Sequence, residues 1–292
     1  MQLIDKNLIA KKRNGRLMTN KILKWLFFLC TLVGLAVLIS LIVDTLIDAV
    51  GYLDLHFLTS MGSSRIEEAG FYGAIIGSLW LMLVTVPVAI FLSVATALYL
   101  EEYAPENRVT EFIKINISNL AGVPSVVFGL LGLAIFVREM AMGNSVLAAG
   151  LTLALMILPV IVVSSQEAIR SVPSTVREAS IGMGATKWQT VSRIILPAAI
   201  PGIITGIILA ISRAIGETAP LVVIGVPTTL LVTPNGFLDS FQAMPMQIYS
   251  WVKMPQEEYQ YLAAAGIIVL LVILLLMNSA AIFIRNKFST RY

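Results

Sequence analysis

Charged residues, cysteine and histidine are all scarce in this chain. Only 13% of its 292 residues are charged, against about 25% in typical soluble domains. The single cysteine, Cys30, excludes an intrachain disulfide, and with the single histidine, His56, it cannot form a histidine–cysteine metal cluster. No stretch matches G-x-x-x-x-G-K-[ST], so the chain has no P-loop phosphate cradle. These absences predict a protein that is not an enzyme and holds no metal or other cofactor of its own.

Long apolar runs are abundant instead. Hydrophobic residues form 58% of the chain, and a membrane-spanning helix needs about 20 of them because lipid offers no partners for backbone groups. We therefore predict an all-α membrane protein with six transmembrane helices, at 25–43, 71–100, 115–137, 141–166, 194–212 and 259–284. A further uncharged run, 218–238, is cut by proline and glycine. We interpret it as the outer end of the fifth helix followed by a folded loop, with a re-entrant segment as the alternative.

The distribution of lysine and arginine predicts the orientation. Both residues accumulate on cytoplasmic loops, and they crowd the N-terminal segment. With six crossings, the outer loops hold only Arg65, Arg138 and Lys253, whereas a seventh crossing would move the basic tail outside. Both termini are therefore predicted to be cytoplasmic, with an uncleaved first helix. The predicted units are a basic N-terminus (1–24), a first helix and outer loop (25–70), a transmembrane domain (71–285) with a hairpin (170–197), and a tail (286–292).

The polar stretch "EASIGMGATKWQTVSRIILP", residues 178–197, interrupts the apolar pattern between the fourth and fifth helices. Gly184 and Ala185 break a helical pattern, and Thr186 stands three residues before Gln189, which is the spacing of a capping box that starts a second helix. Helical spacing groups the apolar residues into two faces: Val172, Val176, Ala179 and Met183, then Trp188, Val191 and Ile195.

So small a hairpin cannot bury both apolar faces by itself. They need a partner surface, and a groove that accepts a helix is one solution. The alternative is a loop that lies on lipid headgroups with Trp188 as an interfacial anchor. Periodicity alone leaves both interpretations open.

The spacing of Glu178-Ala179-Ser180, Gly184, Ile194 and Leu196-Pro197 resembles the "EAA" loop of binding-protein-dependent ABC importer permeases. Only Ser180 departs from the pattern, where alanine is usual. The resemblance implies a type I importer permease core (MetI-like) with an additional N-terminal helix. It also implies a coupling helix that docks on a separate ATPase subunit, which binds ATP and magnesium. The residues that it assigns to this contact are Glu178, Ala179, Ser180, Gly184, Ala185 and Trp188.

Two further stretches, "AGVPSVVFGLLGL" (121–133) and "SRAIGETAPLVVIG" (212–225), resemble phosphate importer permeases, the A type (PstA) more than the C type. The resemblance implies a bacterial inner-membrane protein that contacts lipid and binds no nucleic acid. Its implied partners are a second permease subunit (PstC type), two ATPase subunits (PstB type) and an extracytoplasmic phosphate-binding protein (PstS type). A permease for sulfate or molybdate, a stand-alone anion channel or carrier, and a scaffold that reports phosphate status remain alternatives.

Arg213 and Glu217 are the charged pair within the fifth predicted helix. Charges in the hydrocarbon region are costly, so they usually face an aqueous cavity or a partner. Four residues apart, the two side chains share a helix face, and a purely structural ion pair is the alternative to a place on the transport path. Ser125, at a predicted helix start, and Thr218, beside Glu217, complete the predicted substrate path.

Overall fold

The computed structural model describes residues 6–63, 65–228 and 232–288, and these are predominantly helical. Parts of four predicted segments lie outside the described residues: 1–5 of the basic N-terminus, 64 of the outer loop, 229–231 of the folded loop and 289–292 of the tail. The α-helices in chain order are α1 (Lys6–Ala49), α2 (Leu55–Thr59), α3 (Tyr72–Leu98), α4 (Arg108–Leu120), α5 (Ser125–Gly132), α6 (Val146–Arg170), α7 (Ser174–Gly182), α8 (Lys187–Thr190), α9 (Leu196–Gly216), α10 (Ala219–Ile224), α11 (Met244–Val252) and α12 (Glu257–Phe288). π-Helical turns continue three of them, at Tyr99–Tyr103 after α3, Leu133–Glu139 after α5 and Val191–Ile195 between α8 and α9.

The helices α3 and α6 form the centre of the bundle and run in the same direction. The hydroxyl groups of Thr85 and Ser93 donate to the carbonyl oxygens of Gly150 and Leu158, and each pair is 65 positions apart. A third contact with the same spacing joins the side chains of Gln166 and Glu101. A constant spacing between contacts means that the two helices are parallel. The chain between them must therefore return across the bundle, as six crossings require.

The remaining crossings alternate in direction. Positions later in α9 meet positions earlier in α6, since Gly202 lies against Ala168 and Gly206 against Ser164. The helices α9 and α12 are antiparallel by the same reasoning, because Ser212 contacts Asn278 and Thr205 contacts Arg285. At the other end, Tyr52 after α1 stacks on Tyr261 at the start of α12. The start of α1, the end of α12 and the hairpin therefore lie on one side of the bundle.

The third crossing is not the uninterrupted helix that we predicted at 115–137. α4 and α5 are separated by residues 121–124 and meet at an angle of 103°. Pro124 lacks an N–H and disfavours a helical conformation in the residue before it, so α4 cannot continue into α5 as one helix. The described residues therefore contain five unbroken candidate spans, or six when the bent pair counts as one.

The close contacts between helices depend on small residues. A Cβ atom added to Gly206 would lie 2.0 Å from the hydroxyl of Ser164, and one added to Gly132 would lie 2.0 Å from the hydroxyl of Thr152. These positions bring α9 and α5 against α6, whose Leu153, Ile157 and neighbours form a buried cluster with residues of α3 and α10. Small residues at helix interfaces allow such approach within membranes.

The fifth crossing is longer and less regular than the predicted 194–212. A continuous helical stretch from Lys187 to Gly216 joins the second half of the hairpin to the membrane helix, so α8 is not a separate short helix as we predicted. Beyond Gly216 the backbone leaves the helical conformation, and α10 then continues to Gly225, whose carbonyl oxygen accepts from the side chain of Asn144. Asn144 lies just before α6, at the end of the bundle opposite the hairpin, so α10 continues the fifth crossing away from the hairpin.

Candidate functional site

A helix break lies at mid-depth in the fifth crossing. Glu217 has extended backbone dihedral angles (φ −75°, ψ 120°), and the helix resumes at Ala219. From the contact of Gly206 with Ser164, about two helical turns bring Arg213 level with Ile157, near the middle of α6. A break of this kind leaves backbone N–H and C=O groups without intrahelical partners. Non-helical backbone at membrane depth is tolerated where it is buried in protein or lines an aqueous cavity.

Arg213 and Glu217 form an ion pair at this break, with 3.1 Å between Arg213 Nε and Glu217 Oε1. The arginine side chain is 47% exposed and that of the glutamate 19%. Since the guanidinium group has five N–H donors, one bond through Nε leaves its outer edge available to an anion. The two charges cancel, so the pair can orient a ligand without giving the path a net charge.

Of the other two predicted path residues, Thr218 lies within the break, and Ser125 begins a helix that packs on α10. Thr218 follows Glu217 directly, is half-buried, and its carbonyl oxygen accepts from the N–H of Val222. Ser125 is the half-buried first residue of α5. α5 packs on α10, since a Cβ added to Gly129 of α5 would lie 2.8 Å from the Cα atom of Pro220 in α10. The described residues show no hydrogen bond from Ser125 to the ion pair.

The hairpin has the predicted turn. α7 begins after Pro173, and Gly184 has a φ of +85°, a left-handed conformation that side chains with a Cβ rarely adopt. The capping box is present: Gln189 N–H donates to the Thr186 hydroxyl, and Thr186 N–H donates to the Gln189 side chain. The sequence therefore predicted both ends of this turn correctly.

A buried hydrogen bond that we did not predict closes the hairpin. The hydroxyl groups of Ser180 and Thr190 are 2.8 Å apart, and both residues are buried. Ser180 is the position that departs from the EAA pattern. Alanine there would leave the Thr190 hydroxyl without this partner. The bond joins residues 10 positions apart, and no spacing rule in the sequence predicts it.

In the structure, each of the two predicted apolar faces of the hairpin is partly buried and partly exposed. Val172 precedes α7 and is buried against the bundle, whereas Val176, Ala179 and Met183 remain exposed. In the second half, Val191 and Ile195 are buried, but Trp188 points outward and is 63% exposed. One face therefore anchors the hairpin to the bundle and another is open.

The open face forms a shallow groove of about 500 Å³. Its lining is largely apolar and includes Val176, Ala179, Met183 and Ala185. Glu178 and Gly184 are exposed beside it. The residues that the EAA resemblance assigns to an ATPase contact are thus accessible, with the exception of the buried Ser180.

Two acidic residues at the end of α3 connect this helix to α4, α6 and α7, on the side of the bundle that carries the hairpin. Glu101 accepts from Gln166 and pairs with Lys114 and Arg170 at 2.8–2.9 Å. Glu102 pairs with Arg177 of α7 at 2.6 Å. Glu101 and Glu102 lie in the π-helical turn after α3, and α4 begins at Arg108.

The chain has clear relatives. Residues 89–289 match the family described as "binding-protein-dependent transport system inner membrane component". The probable ABC transporter permease protein YqgI of Bacillus subtilis is 36% identical over 221 residues, which are 76% of this chain and 74% of that protein. The phosphate transport system permease protein PstA of Mycobacterium leprae is 38% identical over 232 residues, 78% of this chain and 75% of that protein.

A solved structure supports the same fold. A chain of the bacterial ABC transporter involved in the import of the acidic polysaccharide alginate superposes with a TM-score of 0.64, at 17% identity, over 95% of this chain and all of that chain (100%). The predicted all-α permease architecture is therefore confirmed. Since the family match covers more than half of its residues, this chain belongs to the binding-protein-dependent transport system inner membrane components.

Proposed function

We propose that this chain is the A-type permease subunit of an ATP-driven phosphate importer. The observation that carries the proposal is one continuous element, Lys187–Gly216, which links the exposed hairpin at one end to the Arg213–Glu217 pair at the other. A movement imposed on the hairpin would reach the mid-depth ion pair through a rigid helix. The name of the mycobacterial relative supports phosphate as the transported ion.

The hairpin is the proposed contact with an ATPase subunit that binds ATP and magnesium. The groove beside Ala179 and Gly184 is open, apolar and of a size that accepts part of a helix or a loop. Glu178, Ala185 and Trp188 frame this surface, and Ser180 holds it in shape from within. The proposed complex contains two such ATPase subunits. This chain crosses a bacterial inner membrane with both of its termini in the cytoplasm.

The ion pair is the proposed phosphate contact. Arg213 donates charge-assisted hydrogen bonds to the anion, and ionised Glu217 accepts from the proton of hydrogen phosphate. Ser125 and Thr218 add hydroxyl groups near the break. Since the pair is neutral overall, a second permease subunit of the C type must contribute further positive charge across the interface. An extracytoplasmic binding protein delivers the phosphate.

Co-purification followed by reconstitution tests this assignment. The tagged chain should retain an ATPase subunit and a second permease subunit, and liposomes with the complex and the phosphate-binding protein should accumulate phosphate only with internal ATP. Gly184→Asp should abolish ATPase retention, because it distorts a left-handed turn and adds charge to the groove. Gly143→Asp is the matched control, since Gly143 has a φ of +62° and lies open at the opposite end of the bundle.

The alternatives give different results in the same experiment. A stand-alone channel would pass phosphate in liposomes that contain this chain alone. A sulfate or molybdate permease would accumulate that anion in place of phosphate. ATP-independent uptake, or an ATPase that never co-purifies, would refute the proposed function.

A further inference from the structure

The first half of the hairpin, α7, is attached to the bundle through non-helical joints at both ends. Residues 171–173 join it to α6, and the turn around Gly184 joins it to α8. Its backbone packs against α8 and the π-helical turn that follows, which belong to the other half of the hairpin. By backbone contacts alone, α7 could therefore swing about the two joints without moving the rest of the bundle.

A side-chain ion pair opposes this movement. Arg177, in the middle of α7, donates through Nη2 to Glu102 Oε1 at 2.6 Å, and Glu102 lies in the π-helical turn at the end of α3. The glutamate side chain is only 5% exposed and that of the arginine 34%, with its Nε atom buried. The pair thus lies partly buried in the groove between α7 and the end of α3.

The neighbouring glutamate connects the same turn to the rest of the bundle. Glu101 binds Arg170 at the end of α6 through both carboxylate oxygens and also pairs with Lys114 of α4. Adjacent residues of one turn thus face in two directions, Glu101 toward α4 and α6 and Glu102 toward α7. Displacement of α7 would act on α3, and through Glu101 on α4 and α6.

From these contacts we infer that Glu102 and Arg177 form a transmission pair, which fixes α7 to α3 and makes the hairpin move as one body with the central bundle. The pair is a positioning element and contacts neither nucleotide nor phosphate. The inference rests on the proposed function, because it assumes that an ATPase subunit acts on the hairpin. Without the pair, the ATPase would still dock on the open groove, but α7 would yield at its joints and part of the movement would be lost.

The test measures coupling in the reconstituted complex. Glu102→Gln should retain the ATPase subunit and its rate of ATP hydrolysis, while phosphate imported per ATP hydrolysed falls about tenfold, the effect of losing a strong coupling contact. The charge-exchanged double variant, Glu102→Arg with Arg177→Glu, should recover much of the ratio. Glu106→Gln is the matched control, because Glu106 is exposed and lines the adjacent groove.

Two results would overturn the inference. One is a ratio in Glu102→Gln equal to that of the unmodified complex, and the other is loss of the ATPase subunit, which would make the pair part of the docking surface. If Glu102→Gln does not accumulate, Arg177→Gln supplies the test, since it removes the charge from the α7 side of the pair; an unchanged ratio there would equally refute the pair's role. Failure of the proposed function is recognised separately, by an unmodified complex that lacks the ATPase or does not import phosphate.

Discussion

The first and fifth crossings are both long and apolar, but their backbones differ. α1 is unbroken from Lys6 to Ala49, and the most apolar part of it is 0% buried within the chain. The fifth crossing breaks after Gly216 and resumes at Ala219. The run 25–43 contains no charged residue, whereas the fifth crossing contains Arg213 and Glu217.

This difference separates a crossing that is regular and exposed within this chain from one whose irregular backbone and charges need partners. Lipid cannot satisfy an open backbone group or a charge, so an exposed helix such as α1 must remain regular and apolar. A helix break with an ion pair persists only where neighbouring helices or a cavity supply partners. The fifth crossing meets this condition, because α5 and α6 pack against it on either side of the break. The polar path is therefore expected along α9 and α10 and not along α1.

Removal of the charge at the break should have the largest effect. Arg213→Gln deletes the charge-assisted donor that we assign to the anion, a contribution of about 1.5–3 kcal/mol. Phosphate uptake by the reconstituted complex should fall about 100-fold, the equivalent of roughly 2.7 kcal/mol. Arg138→Gln, at an exposed arginine beyond α5, should leave uptake unchanged. Full uptake in Arg213→Gln would restrict this pair to a structural role.

A second prediction contrasts one glycine from each crossing. Gly206→Val places a side chain where a Cβ would already lie 2.4 Å from the Cβ of Ser164, and overpacking of this kind costs about 1–3 kcal/mol. Gly34→Val in α1 meets nothing within 4 Å and should be neutral. Thermal denaturation of the purified protein, followed by size-exclusion chromatography, should show a lower midpoint only for Gly206→Val. Equal midpoints would mean that α9 and α6 do not pack as described.

The sequence was sufficient to predict the positions of the five unbroken crossings, because hydrophobic length determines which segments can span a membrane. The orientation predicted from the basic loops stays a prediction. It did not predict the break between α4 and α5, since the run 115–137 stays uncharged through the bend. Pro124 was the available signal, because proline disfavours a helical conformation in the residue before it. Hydrophobic composition predicts which segments can lie in lipid, whereas a bend depends on the backbone conformations that individual residues allow.

The candidate sites divide in the same way. Gly184 and the Thr186–Gln189 capping box are local, so their spacing alone predicted the hairpin turn. The pairs Ser180–Thr190 and Glu102–Arg177 join residues 10 and 75 positions apart, and only the folded chain brings them together. Polar contacts between distant segments carry no periodic pattern in a single sequence.

Selectivity at the helix break gives a third prediction. In the proposed site, the Glu217 carboxylate accepts a hydrogen bond from the proton of hydrogen phosphate and repels sulfate, which has no proton to donate at neutral pH. Glu217→Gln should therefore reduce the preference for phosphate over sulfate about tenfold, or roughly 1.4 kcal/mol. Competition of sulfate against labelled phosphate, with the same binding protein throughout, measures this ratio. Glu139→Gln is the control at an exposed glutamate, and an unchanged ratio in Glu217→Gln would place selectivity elsewhere.

The smallest predicted effect concerns the hairpin at the other end of the same helix. Ser180→Ala removes the hydroxyl that pairs with Thr190 and leaves a buried partner unsatisfied, at a cost of about 1 kcal/mol. Because α7 and α8 are joined by a non-helical turn, this cost should appear as local opening, with faster proteolysis near Gly184 and an almost unchanged denaturation midpoint. Ser174→Ala, at an exposed serine of the same helix, should not change the cleavage rate. If Ser180→Ala instead lowered the midpoint of the whole protein as much as Gly206→Val does, the hairpin would unfold together with the bundle and would not open locally.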